Sequence, residues 1–166
     1  MGDLGEGLRV PAVRFERILP GSAERVWEHL TRADRLVGWF GDDGVIEPRE
    51  GGAVSLMGGH IRGVVTQWKP HRKLAYTWNV FSPGEDLSPY PESYLTFELE
   101  GRGDDVRLTL FHLPVLERFE PQNKMGWHTF LDMLGATLRG EAVSPRGEYM
   151  TRNAQRYGVD MANLAR

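Results

Sequence analysis

The chain has 166 residues, a hydrophobic fraction of 40% and a charged fraction of 26%, the balance of one ordinary globular domain, which excludes a disordered, collagenous or coiled-coil chain. Its formal net charge of −3 offers no general attraction to phosphate backbones, and no basic run is interleaved with aromatics, so nucleic acid is not an expected partner. The lack of cysteine excludes disulfides and thiolate metal ligands, and with no secretory leader pattern and no apolar run near the ~18 residues of a membrane span the expected location is the cytoplasm.

Residues 13 to 19, V-R-F-E-R-I-L, nearly alternate and stop at the turn signal P-G-S, which predicts a first strand. Ser22 then suits an N-cap, and Val26, Trp27 and Leu30 repeat at helical spacing, predicting a short helix. Thr31 with Asp34 resembles a second cap, followed by Leu36, Val37, Trp39 and Phe40 in a second short helix that ends at a turn including Asp42-Asp43. Short strands are predicted next over 45–48, 53–57, 60–69, 73–81, 93–100 and 105–113.

Alternation sorts most of their faces. Leu74, Tyr76, Trp78 and Val80 share the predicted inward face of one strand; Leu95, Phe97 and Leu99 that of the next; and Val106, Leu108, Leu110 and, by parity, His112 that of the last. The segment His60 to Trp68 gives two similarly mixed faces and stays unassigned. The 82–93 loop, with three prolines that forbid regular ladder pairing, reads either as a rim or lid or as a stiff solvated connection.

Residues 126 to 138, GWHTFLDMLGATL, complete the pattern. At 100° per residue, Trp127, Phe130, Leu131, Leu134 and Leu138 fall on one stripe, while His128, Asp132 and Arg139 gather on the other flank, so this helix is expected to lay its apolar stripe across a sheet. Residues 148 to 164 read as a terminal helix interrupted at Gly158.

The order of elements resembles the helix-grip fold of the START-type, or SRPBCC, superfamily. The segments SAERVWEHLTRADRLVGWF, GVVTQWKPHRKLAYTW, YLTFELEGRGDDVRLTLFH and GWHTFLDMLGATLRG are together similar to the family of the activator of heat-shock-protein-90 ATPase homologues. The resemblance implies an α+β domain over residues 13–141, in which a curved antiparallel sheet of about six or seven strands wraps around a long C-terminal helix; residues 142–166 then form an extension, read as helical over 148–164. It also implies a cavity between sheet and helix. Superfamily members bind apolar small molecules there, and some have become cyclases or hydrolases.

The candidate ligand-binding residues follow from the inward faces and the resemblance: His112, Tyr76, Trp78, Arg62, Trp39, Phe40, Phe97, Leu110, Trp127, Phe130, Leu131 and Leu134. His112 stands at the inward end of an apolar strand. It is either a buried histidine satisfied by backbone or by Tyr76, or a polar contact for a ligand, with acid–base chemistry as a further alternative. The aromatic set either stacks on a flat ligand or fills the core. His128 and Asp132, at i and i+4, lack the further ligands of a metal site and read as a surface pair. No G-x-S-x-G or phosphate-loop pattern is present.

The expected function is therefore binding of a small apolar molecule, with no cofactor, no metal and no assigned catalytic residue. An enzyme using His112, or a co-chaperone-like or sequestering interaction module, are the alternatives, and a homodimer is compatible with all three.

Overall fold

The computed structural model describes residues 2–41, 43–82 and 84–166; Asp42 of the expected turn and Pro83 of the 82–93 loop lie outside them. Seven strands, β1 (Val13–Pro20), β2 (Val45–Ile46), β3 (Ala53–Leu56), β4 (Ile61–Lys69), β5 (Lys73–Val80), β6 (Ser93–Arg102) and β7 (Asp105–Leu113), form one antiparallel sheet in the order β1-β7-β6-β5-β4-β3-β2. Helices α1 (Ala23–Thr31) and α2 (Ala33–Leu36) carry the chain from β1 at one edge to β2 at the other. The long helix α3 (Glu120–Leu138) crosses the inner face, and α4 (Arg146–Tyr157) packs on α3. This is the α+β helix-grip architecture that the element order predicts.

The inner face is built by alternation. Val106, Leu108, Leu110 and His112 of β7, and Leu95, Phe97 and Leu99 of β6, are all buried, as are Val13, Phe15 and Leu19 of β1. Opposite them lie Trp127, Leu131, Leu134 and Leu138, the stripe read from the sequence. Burying side chains of this size stabilises by about 1.5–3 kcal/mol each, which is why α3 holds its place on the sheet. The other flank of α3 is covered as well: Tyr149, Asn153 and Ala154 of α4 are buried.

Three local expectations are corrected, and the strand left unassigned is resolved. The Ser22 side chain does accept from Arg25 N–H, at 3.1 Å, but Thr31 does not cap α2, because its hydroxyl turns back to donate to the Trp27 carbonyl at 2.8 Å. The second helix closes after one turn, at Leu36. The strand that would not sort by parity carries an irregularity between Val65 and Gln67, so Ile61 and Val65 point inward before it and Trp68, beyond it, packs on Trp27 at a centroid distance of 5.0 Å. Gly158 does not interrupt the last helix but ends it, taking a left-handed φ of 64° that favours glycine at this position.

The β4 and β5 backbones approach closely at Gly63 and Thr77. The Thr77 hydroxyl takes the Val64 N–H at 2.8 Å, and a Cβ on Gly63 would overlap the Thr77 carbonyl. Gly63→Ala is therefore expected to lower unfolding stability by about 2–3 kcal/mol, as overpacking against backbone does. A urea midpoint unchanged from that of the parent chain would refute this close approach.

Candidate ligand cavity

The ends of β5, β6 and β7 set three polar groups in a row. Register pairs Trp78 with Ser93 and Leu95 with His112, which puts the Ser93 Oγ 2.8 Å from His112 Nε2 and 3.0 Å from the Trp78 carbonyl. From above, α3 contributes Asn123 and Trp127, one turn apart and hence on one face. Trp127 Nε1 lies 3.0 Å, and Asn123 Nδ2 3.1 Å, from His112 Nδ1.

These contacts fix the tautomer. An indole N–H only donates, so Nδ1 of His112 is the acceptor and carries no proton. The neutral ring then holds its proton on Nε2 and donates it to Ser93 Oγ, whose own hydroxyl donates to the Trp78 carbonyl, which can only accept. Burial pushes the His112 pKa down from 6.5 to about 4, and a second ring proton would face the Trp127 and Asn123 N–H groups. His112 is thus neutral near pH 7, with both nitrogens engaged by protein. Its partners are Ser93, Trp127 and Asn123 rather than Tyr76, whose phenol is itself pushed up in pKa by complete burial.

Beside this network lies a cavity of about 800 Å³. Trp78, Val80, Ser93 and His112 form its sheet wall, and Pro114, Val115, Leu116, Phe119, Gln122 and Asn123 supply the connection into α3 and the helix's first turn. Tyr90 and Pro91 reach it from the loop between β5 and β6, and residues 161–166, after α4, line it as well. That following segment carried no sequence signal as a wall; the turn residue Gly158 is the one hint that the chain doubles back.

The middle of the grip, by contrast, is solid. Trp127 meets Trp78, Phe40 and Phe97 at centroid distances of 5.2, 5.7 and 6.0 Å, and Phe40 stacks on Phe130 at 4.8 Å. Of the residues singled out in the sequence, His112 and Trp78 line the cavity. Tyr76, Phe97, Leu110, Leu131 and Leu134 are packed into the core, as is Trp127, while Phe130 packs against its edge. Trp39 and Phe40 are also interior, where Trp39 Nε1–H donates to the His29 carbonyl at 2.8 Å and so ties the turn after α2 to α1. Arg62 does not line the cavity: its guanidinium lies 4.0 Å from the Phe81 ring centroid and donates to the Gly59 and Glu85 carbonyls, holding the loop after β5.

The His128 and Asp132 pair joins helices. His128 Nδ1 meets the Tyr157 hydroxyl at 2.7 Å, and Asn153 Nδ2 donates to Asp132 Oδ2 at 3.3 Å and Thr129 Oγ1 at 3.1 Å, so the polar flank of α3 is its seam with α4. Among the described residues no group of three or more His, Asp or Glu side chains is placed to hold a metal ion, and no helix is long and apolar enough to cross a membrane.

The family model described as activator of Hsp90 ATPase homolog 1-like protein matches residues 20–139. No curated protein matches the chain. Among solved structures, the solution structure of CalU16 from Micromonospora echinospora is 27% identical, with 90% of this chain and 83% of that chain covered and a TM-score of 0.70. A protein from Bordetella parapertussis is also 27% identical, covering 98% of this chain and 91% of its own with a TM-score of 0.68. The Aha1 dimer from Colwellia psychrerythraea shares the fold at 19% identity, over 77% of this chain and 96% of that one, with a TM-score of 0.63.

The locked imidazole has a pH signature. Unfolding frees His112 to bind a proton below its ordinary pKa of 6.5, whereas the folded ring stays neutral down to about 4. Its contribution is therefore present above pH 6.5 and is lost as pH falls through that window, by about 3 kcal/mol in total. In urea unfolding, the stability difference between the parent chain and His112→Gln should shrink by that amount from pH 7 to pH 4. A difference that is constant with pH would show that the histidine is not held neutral.

Proposed function

The chain belongs to the activator of Hsp90 ATPase homolog 1-like family, and from that premise we propose that it binds a small, largely apolar molecule in the cavity at the N-terminal end of α3. The observation that carries this reading is the contrast within one interface: aromatic side chains close the grip around Trp127, yet about 800 Å³ beside Trp78 and His112 is left without side chains to fill it. A space of this size, with a mixed apolar and polar lining, is within the range of small-molecule sites. Desolvation of the ligand supplies most of the affinity, at ~25 cal/mol per Å² of apolar surface buried. Trp78, Val80, Val115 and Phe119 form the apolar contact, and the unpartnered Asn123 Oδ1 sets orientation.

Binding, rather than turnover, is the reading that the His112 geometry favours. A general base needs a free lone pair, and the one on Nδ1 accepts from Trp127 and Asn123. The proton on Nε2 is committed to Ser93. In this proposal residues 13–141 hold the ligand-binding domain, and the segment beyond them contributes to its closure. The Colwellia relative is a dimer in solution; a homodimer here is a further expectation that leaves the cavity reading unchanged.

Naphthalene serves as an apolar probe in an NMR titration. Chemical-shift changes are expected to concentrate at Trp78, Val80, His112 and Val115, and Val80→Trp, which places an indole in the space, is expected to weaken binding at least ten-fold. Native mass spectrometry of protein purified without denaturation checks for a co-purifying compound of the same class. Shift changes scattered over the surface, or binding untouched by Val80→Trp, would defeat the proposal.

A further inference from the structure

Gly158 ends α4 in a left-handed turn, with Val159 N–H donating to the Ala154 carbonyl at 2.8 Å, and the chain reverses toward the start of α3. Residues 160–166 then run along the cavity without regular secondary structure. They are poorly packed: the cavity of about 800 Å³ lies on one side and a groove of about 380 Å³ on the other, with Gln122, Asn163, Leu164 and Ala165 lining both. Met161 and Leu164 remain 44% and 40% exposed. Among the described residues, one side chain joins this segment to the rest of the fold by hydrogen bonds. The Gln122 amide accepts from Ala165 N–H and donates to the Ala165 carbonyl.

A strap with space on both faces and a single polar anchor is easily displaced, because few contacts oppose its opening. Its anchor is also chemically specific. Gln122 offers one acceptor and two donors on a planar amide and meets a neighbouring donor and acceptor on its partner. One residue further on, Asn123 Oδ1 is buried with no hydrogen-bond partner, a second acceptor that the strap leaves unmet.

We propose that residues 160–165 are a displaceable strap and that Gln122, freed from Ala165, selects cavity ligands carrying an N–H donor beside a carbonyl acceptor, as in a lactam or carboxamide on an apolar ring. This inference rests on the cavity reading above and adds to it the polar group of the ligand and the internal competitor. Opening exposes Gln122 at the cavity's edge; the ligand's N–H and C=O replace those of Ala165, and its ring occupies the apolar space beside Trp78.

The test uses 2-quinolinone, a bicyclic lactam, and its N-methyl derivative, which lacks the donor, titrated into the full chain and followed by NMR and calorimetry. Ala165→Pro removes the N–H that holds the strap and keeps the chain length. That variant is expected to bind 2-quinolinone about five-fold more tightly than the parent, on the order of one net neutral hydrogen bond released. Gln122→Leu and N-methylation are each expected to weaken binding about ten-fold and, combined, to give little further loss. Equal binding of both probes with shifts at Trp78 and His112, unaffected by Gln122→Leu, would overturn the role of Gln122 while sustaining the cavity reading. Unchanged affinity in Ala165→Pro would overturn the strap. Failure of every variant to bind either probe would overturn the inference together with the cavity reading.

Discussion

The indole N–H of Trp127 can only donate, and its acceptor 3.0 Å away is Nδ1 of His112. From that one direction of donation follows the protonation of the imidazole on Nε2, the acceptance of that proton by Ser93, and the delivery of the Ser93 proton to the Trp78 carbonyl. The chain of donors spans α3, β7, β6 and β5. It satisfies every ring nitrogen in a place where an unpaired polar group costs about 1–3 kcal/mol. It also determines where the helix begins its contact with the sheet, since Trp127 cannot shift along the inner face without leaving His112 unsatisfied.

That anchoring explains why one interface contains both a solid core and a cavity. C-terminal to Trp127, the stripe through Leu138 meets Phe40, Phe97 and the leucines of β6 and β7. N-terminal to it, the helix presents Gln122 and Asn123; Asn123 reaches His112, neither fills the space beside Trp78, and loops and the segment after α4 line that space. The polar row is thus both the boundary of the core and a wall of the cavity. The histidine is a structural group with both ring nitrogens satisfied, and its ring also lines the cavity.

Much of the fold is legible in the sequence because its signals are local. Alternation in β6 and β7 assigns the inward residues from Leu95 to His112, and the helical stripe of α3 assigns the face that meets them. Where local periodicity is broken, the reading stops: the irregularity after Val65 shifts the parity of β4, so Trp68 faces inward although it is out of phase with Ile61. Thr31 illustrates a different limit, since a hydroxyl positioned to cap a helix can equally bond the carbonyl four residues back. The site was legible only in part. His112 and Trp78 are visible because alternation puts each near the end of an inward face; Ser93, Asn123, Gln122 and residues 161–166 are not, because their placement depends on strand register and on a chain reversal that brings distant segments together. Aromatic side chains serve packing as well as recognition, and here Phe97, Trp39, Phe40 and Trp127 pack.

The state of the His112 ring tests the central constraint most directly, by a long-range proton–nitrogen correlation spectrum of uniformly nitrogen-15-labelled protein between pH 8 and pH 5. A ring held by Trp127 shows an unprotonated, pyridine-type Nδ1 and a protonated, pyrrole-type Nε2 at every pH in that range, with protonation beginning only toward its folded pKa of about 4. A pyrrole-type Nδ1, or a titration centred near the ordinary value of 6.5, would contradict the donor chain and with it the explanation of why the grip stops where the cavity begins.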